Sequence, residues 1–331
     1  MTDLVLVIAV AAAFVFAFSN GIHDTFDVIS TAVSTGAAPP GVAIAVASLL
    51  TFAGAFISVE VALTIAREVV EAEAITPTVV LAGLLGALAW NVATWRLRLP
   101  SSSSHALIGG VIGATVAAAG TDAVLGGGLL DKVLIPALVA PIAAFGIALA
   151  LIVVIYRLVG RRRPGPTTRG FRHAQVLSGG LLALGHGAND AQKTMGVILL
   201  ALIANGTLAE GAEPPFWAVA GAAAAIGIGT WAGGWRALRG AGARVIKMDA
   251  AQGFSAQGAG AATILASTFM GFPISTTHAI NGGVLGAGAA KRLSAVRWGV
   301  AGNILVAWLL TLPATAAIGA AVYGVACLFG A

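Results

Sequence analysis

Two segments of this chain present hydroxyls and an imidazole in the same order. Pro100-Ser101-Ser102-Ser103-Ser104-His105 runs on through Gly109, Gly110 and Gly113 to Ala114, and Pro273-Ile274-Ser275-Thr276-Thr277-His278 runs on through Gly282, Gly283 and Gly286 to Ala287. Nine of the fifteen positions are identical, at an offset of 173. A row of Ser or Thr directly after a proline break and before a helical stretch forms an N-cap, with hydroxyls and free N–H groups at the positive end of the helix dipole. Such an end binds anions. Two of them converging would surround one anion, between the clusters Ser101–Ser104 and Ser275-Thr276-Thr277. The plainer reading is ordinary capping, with glycines for close helix packing. Recurrence of the whole segment, His included, favours the anion site.

A second pair precedes these. Asn20-Gly21-Ile22-His23-Asp24 matches His186-Gly187-Ala188-Asn189-Asp190 at an offset of 166. Each helix is expected to be interrupted at its glycine. The unwound carbonyls, together with Asp24, Asp190, Asn189 and His23, would suit a proton or a hard monovalent cation. Asp27 and Lys193 each lie three residues beyond a motif aspartate, one turn on and facing the same way. They occupy matching positions with opposite charge, so an Asp27–Lys193 ion pair across the repeat axis is expected, one that keeps a buried lysine charged. His105 and His278 read as hydrogen-bonded packers behind the hydroxyls in preference to proton carriers. Glu60 lies near a helix end and receives no role.

These polar residues stand in a chain that lacks the surface for water. Only 9% of its residues are charged, against about 25% in soluble domains, and its mean hydropathy is +0.95. Residues 133–156 carry no charge over 24 positions, and about 20 apolar residues span a bilayer. Crossings are expected at about 4–37 (interrupted near Asn20-Gly21), 41–66, 78–95, 101–119 and 133–158, then at 174–203, 216–238, 249–270, 274–290 and 298–328. The first lacks the basic n-region of a secretory signal. Five crossings per half is an odd number, so the second half must be inverted. The expected fold is an all-α polytopic membrane protein of two inverted-topology repeats with broken or re-entrant segments, residues 1–156 and 174–331, joined by a cytoplasmic basic linker, 157–173.

The loop charges agree. Alternation places 15 of the 18 basic residues on one face: Arg96, Arg98, Arg157, Arg161, Arg162, Arg163, Arg169, Arg172, Arg236, Arg239, Arg244, Lys247, Lys291, Arg292 and Arg297. Only Arg67 and Lys132 fall opposite, together with most of the acids. The positive-inside rule makes the basic face cytoplasmic and puts both termini outside the inner (plasma) membrane. Basic residues confined to membrane-flanking loops exclude a nucleic-acid partner. The single Cys327 excludes a disulfide. Asp24, Asp27, Asp190 and Lys193 at membrane depth, where a charge costs about 2.5–3.5 kcal/mol, mark a transport pathway.

At these motifs the sequence resembles the inorganic phosphate transporter (PiT) family of secondary carriers, which carries a Gly-Ala-Asn-Asp-Val-Ala-Asn signature in each half and Ser/Thr-rich segments ending in His. Here the signatures read Gly21-Ile-His23-Asp24-Thr-Phe-Asp27 and Gly187-Ala-Asn189-Asp190-Ala-Gln192-Lys193. The resemblance covers essentially the whole chain. It implies a non-enzymatic symporter importing phosphate, bound between Ser102–Ser104 and Ser275–Thr277, with Asp24 and Asp190 serving the coupling cation and no resident cofactor. Replacement of the last signature Asn by Asp27 and Lys193 removes two amide ligands from any sodium site at Asp24 or Asp190. Protons become the expected coupling ion, with a metal–phosphate complex as one form of the cargo. The alternatives are sodium coupling, a sulfate permease, a passive anion channel and a lipid-pyrophosphate phosphatase. The last lacks an arginine at membrane depth to stabilise a transferred phosphoryl group. Gly-rich apolar faces also suggest a homodimer.

Overall fold

A computed structural model describes residues 2–97, 99, 101–159, 163–240, 248–290 and 298–329. Pro100 and the basic loop residues Arg98, Arg161, Arg162, Arg244, Lys247, Lys291, Arg292 and Arg297 lie outside the described residues, as do the side chains of Arg236 and Arg239. The described chain is helical throughout, with one isolated bridge between Val70 and Val124 in place of any sheet. In a bilayer core every backbone group must be satisfied within the protein, and helices do this segment by segment.

The first half comprises α1 (Thr2–Ser34), α2 (Pro40–Gly54), α3 (Glu60–Arg67), α4 (Pro77–Leu97), α5 (Ser103–Ala119) and α6 (Gly126–Val159). Residues Leu129–Leu134 of α6 form a π-helical turn. The second half comprises α7 (Pro164–Ala204), α8 (Phe216–Gly240), α9 (Ala250–Phe269), α10 (Thr276–Ala289) and α11 (Trp298–Leu328). Every expected crossing is occupied by helix, and the one expected at 41–66 is divided between α2 and α3. Five segments are long and apolar enough to cross a membrane by length and composition alone: α1, α4, α6, α8 and the later part of α11. The other long helix, α7, carries the buried polar motif and a basic start, which lower its hydropathy.

The repeats interlock. Helix α5 packs on α11, and its counterpart α10 packs on α6, so each half closes over the other's hydroxyl-bearing helix. Glycines fix both crossings. A Cβ on Gly109 or Gly113 would collide with Leu312 and Thr315 or with Ala316 of α11, and one on Gly282 or Gly286 would collide with Pro141 or Phe145 of α6. Small residues that allow backbones to touch are the usual basis of helix association in membranes.

One expectation fails here. Helices α1 and α7 run unbroken through Gly21 and Gly187. Both glycines are contact points: Gly21 lies against Ile226, Gly229 and Thr230 of α8, and Gly187 against Thr51 of α2. Absence of a Cβ is used for close approach, and the i→i−4 ladder stays intact. Among the described residues the breaks lie elsewhere, at 101–102 ahead of α5, at 55–59 between α2 and α3, and at 270–275 between α9 and α10. In the last, Gly271 adopts φ 72°, a turn conformation open to glycine without strain.

Candidate functional site

The two hydroxyl rows behave as the repeat requires. Ser102 and Ser275 are N-caps with nearly the same backbone, φ −92° and ψ 110° against φ −82° and ψ 115°. The Ser102 hydroxyl accepts from His105 N–H at 3.1 Å, and that of Ser275 from His278 N–H at 3.3 Å. The Ser102 and Ser275 hydroxyls thus serve their own helices, and Ser101 donates to Thr94 Oγ1 at 2.9 Å.

The hydroxyls that follow in each row converge. Ser103 donates to Asp24 Oδ2 at 3.2 Å, and Thr277, from the other helix, donates to Asp24 Oδ1 at 3.4 Å. Thr276 donates to Asp190 Oδ2 at 2.9 Å. Ser104 donates to the carbonyl of Ile274 at 3.0 Å, directly joining the start of α5 to the segment leading into α10. Ser101 to Ser104 and Ser275 to Thr277 are all buried, as are Asp24 and Asp190. Two positive helix ends and two carboxylates are therefore buried together, where each positive end stabilises negative charge.

Lys193 joins them and is completely buried. Its ammonium donates to Asp190 Oδ1, to the Ser104 hydroxyl and, at 2.7 Å, to the Ile274 carbonyl. The expected Asp27–Lys193 pair is therefore corrected: the salt bridge runs to Asp190, three residues back on the same helix. One turn of α7 already sets these groups side by side, and no reach across the axis is needed. Asp27 is only part-buried. It stands one turn beyond Asp24 on α1, with the hydroxyl of Thr277 at the start of α10 as a hydrogen-bond partner.

The histidines divide. His23 Nδ1 lies 3.0 Å from Asp24 Oδ1, and His186 Nδ1 lies 2.8 Å from Asp190 Oδ2. His186, four residues before Asp190 on the same helix face, is a site residue that the sequence reading passed over. The i,i+4 spacing was the available signal. Ligand atoms of Asp24, His186 and Asp190 all lie within 4.8 Å of one another. His105 and His278 meet edge to face, ring centroids 5.0 Å apart, and His278 stacks on Trp308 at 3.7 Å. They are packers, but through their rings: Nε2 of each has no hydrogen-bond partner among the described residues.

Asn189 donates its amide to Thr268 Oγ1 at 3.0 Å and to the Phe272 carbonyl at 3.1 Å, tying α7 to the break before α10, and its Oδ1 is buried with no partner among the described residues. Gln192 acts in the same way. Its Oε1 accepts from Val61 N–H at 2.8 Å and Ala62 N–H at 3.3 Å, satisfying the first turn of α3. Glu60 is exposed at the start of α3, in accord with having no role.

Comparison with known proteins identifies the family. The model of the phosphate transporter family fits residues 20–168 and again residues 162–319, one match per repeat. Proteins named "Probable low-affinity inorganic phosphate transporter" from Mycobacterium tuberculosis, Rhizobium meliloti and Bacillus subtilis are 44%, 44% and 38% identical to this chain. The alignments cover 98%, 96% and 97% of this chain and 78%, 95% and 96% of the relatives. Among solved structures, one titled "The sodium-dependent phosphate transporter" superposes with a TM-score of 0.91 at 25% identity, covering 98% of this chain and 99% of that one. With its two family matches, its relatives over nearly the full length and its inverted helical repeats, the chain belongs to the phosphate transporter family.

Proposed function

We propose that this protein imports inorganic phosphate by secondary transport coupled to protons. The observation that carries the reading is the convergence of two capped helix N-termini, α5 and α10, on one buried volume. Phosphate entering there would accept from Ser103, Ser104, Thr276 and Thr277, with the Lys193 ammonium adding positive charge. Ser102 and Ser275 would hold the helix ends in place. Both helix ends belong to breaks in the chain, as in transporters whose substrate site lies between inverted repeats.

Ser103, Thr276 and Thr277 donate to Asp24 and Asp190, while Ser104 is engaged by the Ile274 carbonyl and Lys193. A carboxylate and a phosphate oxygen compete for one donor, so the anion binds well only when the carboxylates release those donors. A coupling cation arriving at Asp24 does this, and His23, in contact with Asp24, and Asp27, one turn along α1, provide a route towards it. Asn189 supports the site through its bonds to Thr268 and Phe272. Sodium fits poorly at Asp190: both its oxygens are engaged by protein donors, one of them a full positive charge. The solved relative is titled sodium-dependent; here protons are the coupling ion that the residues support. The basic loops orient the protein with both termini outside the plasma membrane.

The test is uptake of labelled phosphate into proteoliposomes under separately imposed proton and sodium gradients, with sulfate as competitor. Accumulation driven by the proton gradient alone, and displaced by phosphate more than by sulfate, is expected. Accumulation only with sodium overturns proton coupling, and stronger competition by sulfate overturns the choice of phosphate.

A further inference from the structure

We infer that the Lys193 ammonium is a tethered cation that occupies the place of a bound alkali ion in the second repeat, so that sodium has no site at Asp190. The inference rests on the reading of this volume as a phosphate–cation site. Its support is the set of groups around Nζ: a carboxylate oxygen of Asp190, the hydroxyl of Ser104 and the carbonyl of Ile274. These are the hard oxygen ligands an alkali or alkaline-earth ion takes from proteins. They come from three separate places: α7, the first turn of α5 and the segment before α10. An ammonium carries three N–H donors, and Lys193, fully buried, places them on three oxygens of three kinds, as a bare ion would be ligated.

The repeat sharpens the point. The residue at the matching position of the first half is Asp27, an acid, and Asp24 beside it is held by Ser103, Thr277 and His23, none a fixed cation. One repeat thus carries its own positive charge and the other does not. Among the described residues, an exchangeable cation then has its place on the Asp24 side of the Asp24, His186 and Asp190 cluster. A sodium ion at Asp190 would have to displace an ammonium that cannot diffuse away. Lysine at this position therefore sets ion specificity: it fixes one charge of the site and leaves a single exchangeable one.

The test uses purified full-length protein in detergent and reads binding of radioactive sodium directly, beside phosphate binding with sodium or choline as the salt. Wild type is expected to bind no sodium in the millimolar range that Asp190→Asn abolishes, and its phosphate affinity should be the same in either salt. Lys193→Asn, which shortens the chain and restores an amide oxygen, is expected to gain sodium binding that is lost again in the double variant with Asp190→Asn. Its phosphate affinity should rise about 5-fold or more in sodium, the lower end of ordinary coupling between sites. Sodium binding by wild type that depends on Asp190 overturns the inference, and so does a monodisperse Lys193→Asn protein that binds none. Should Lys193→Asn fail to fold, the wild-type arm decides, since Asp190-dependent sodium binding there refutes and its absence supports. Failure of the phosphate reading shows separately, as a wild type that binds no phosphate in either salt.

Discussion

Changing Asp190 to Asn strands a buried ammonium, and changing Lys193 to Met strands a buried carboxylate. Neither side chain has any solvent exposure, and they touch each other. Taking one partner from a buried pair costs about 3–5 kcal/mol, because the remaining charge stays desolvated. Replacing both removes the charge problem, and buried pairs exchanged for uncharged groups of similar volume are often near neutral. The double variant should therefore cost less than the sum of the singles, by an interaction energy of about 2–3 kcal/mol, the upper part of the range for residues in contact. Asp190 also holds Thr276 and His186, and Lys193 also holds Ser104 and the Ile274 carbonyl, so both single variants should be strongly destabilising. Unfolding in mixed micelles, followed through the chain's 7 tryptophans, supplies all corners of the cycle. A parallel cycle of Asp27→Asn with Lys193→Met should show additivity within about 0.5 kcal/mol. Strong coupling of Lys193 to Asp27 and additivity with Asp190 would refute the reasoning, since the geometry assigns the pair the other way.

Leucine at Gly113 or Gly286 should prevent recovery of folded protein to a similar degree, since both positions seat a neighbouring backbone where a Cβ would lie; Gly127→Ala, with open space around it, should not, and gel-filtration yield reads the difference. Removing the N-cap hydroxyl by Ser102→Ala or Ser275→Ala should cost about 1 kcal/mol of stability each, whereas Ser103→Ala should weaken phosphate binding with a smaller effect on unfolding. His105→Phe should keep transport, because the ring packs edge to face on His278 and its Nε2 has no partner to lose; loss of phosphate uptake with an intact fold would assign it a chemical role instead. Phosphate at 100 times its dissociation constant should raise stability by about 2.7 kcal/mol, and Thr276→Val should reduce that gain, as melting with and without phosphate would show.

Much of this site was legible from spacing because the repeat made it redundant. The Ser/Thr–His segments, placed at an offset of 173, became two N-caps with the same torsions, and the glycines behind them became the matched crossings on α11 and α6. What spacing did not convey was how the motif glycines are used. Gly21 and Gly187 read as helix breaks, and only the positions of α8 and α2 show them to be contacts. The Asp27–Lys193 expectation gave symmetry precedence over locality. The i,i+3 spacing of Asp190 and Lys193 was present in the sequence, and a pair within one helix turn forms before any contact across an axis is required. Gln192 had no visible reason to be polar until α3 was seen to start at its amide.

The central claim is that phosphate sits between the starts of α5 and α10. A structure of the protein with bound phosphate, or with arsenate located by anomalous scattering, tests it most directly. The account expects the oxyanion within hydrogen-bonding distance of Ser103, Ser104, Thr276 and Thr277, with Asp24 released from Ser103 and Thr277. An oxyanion bound elsewhere, with both aspartates still holding those hydroxyls, would contradict it.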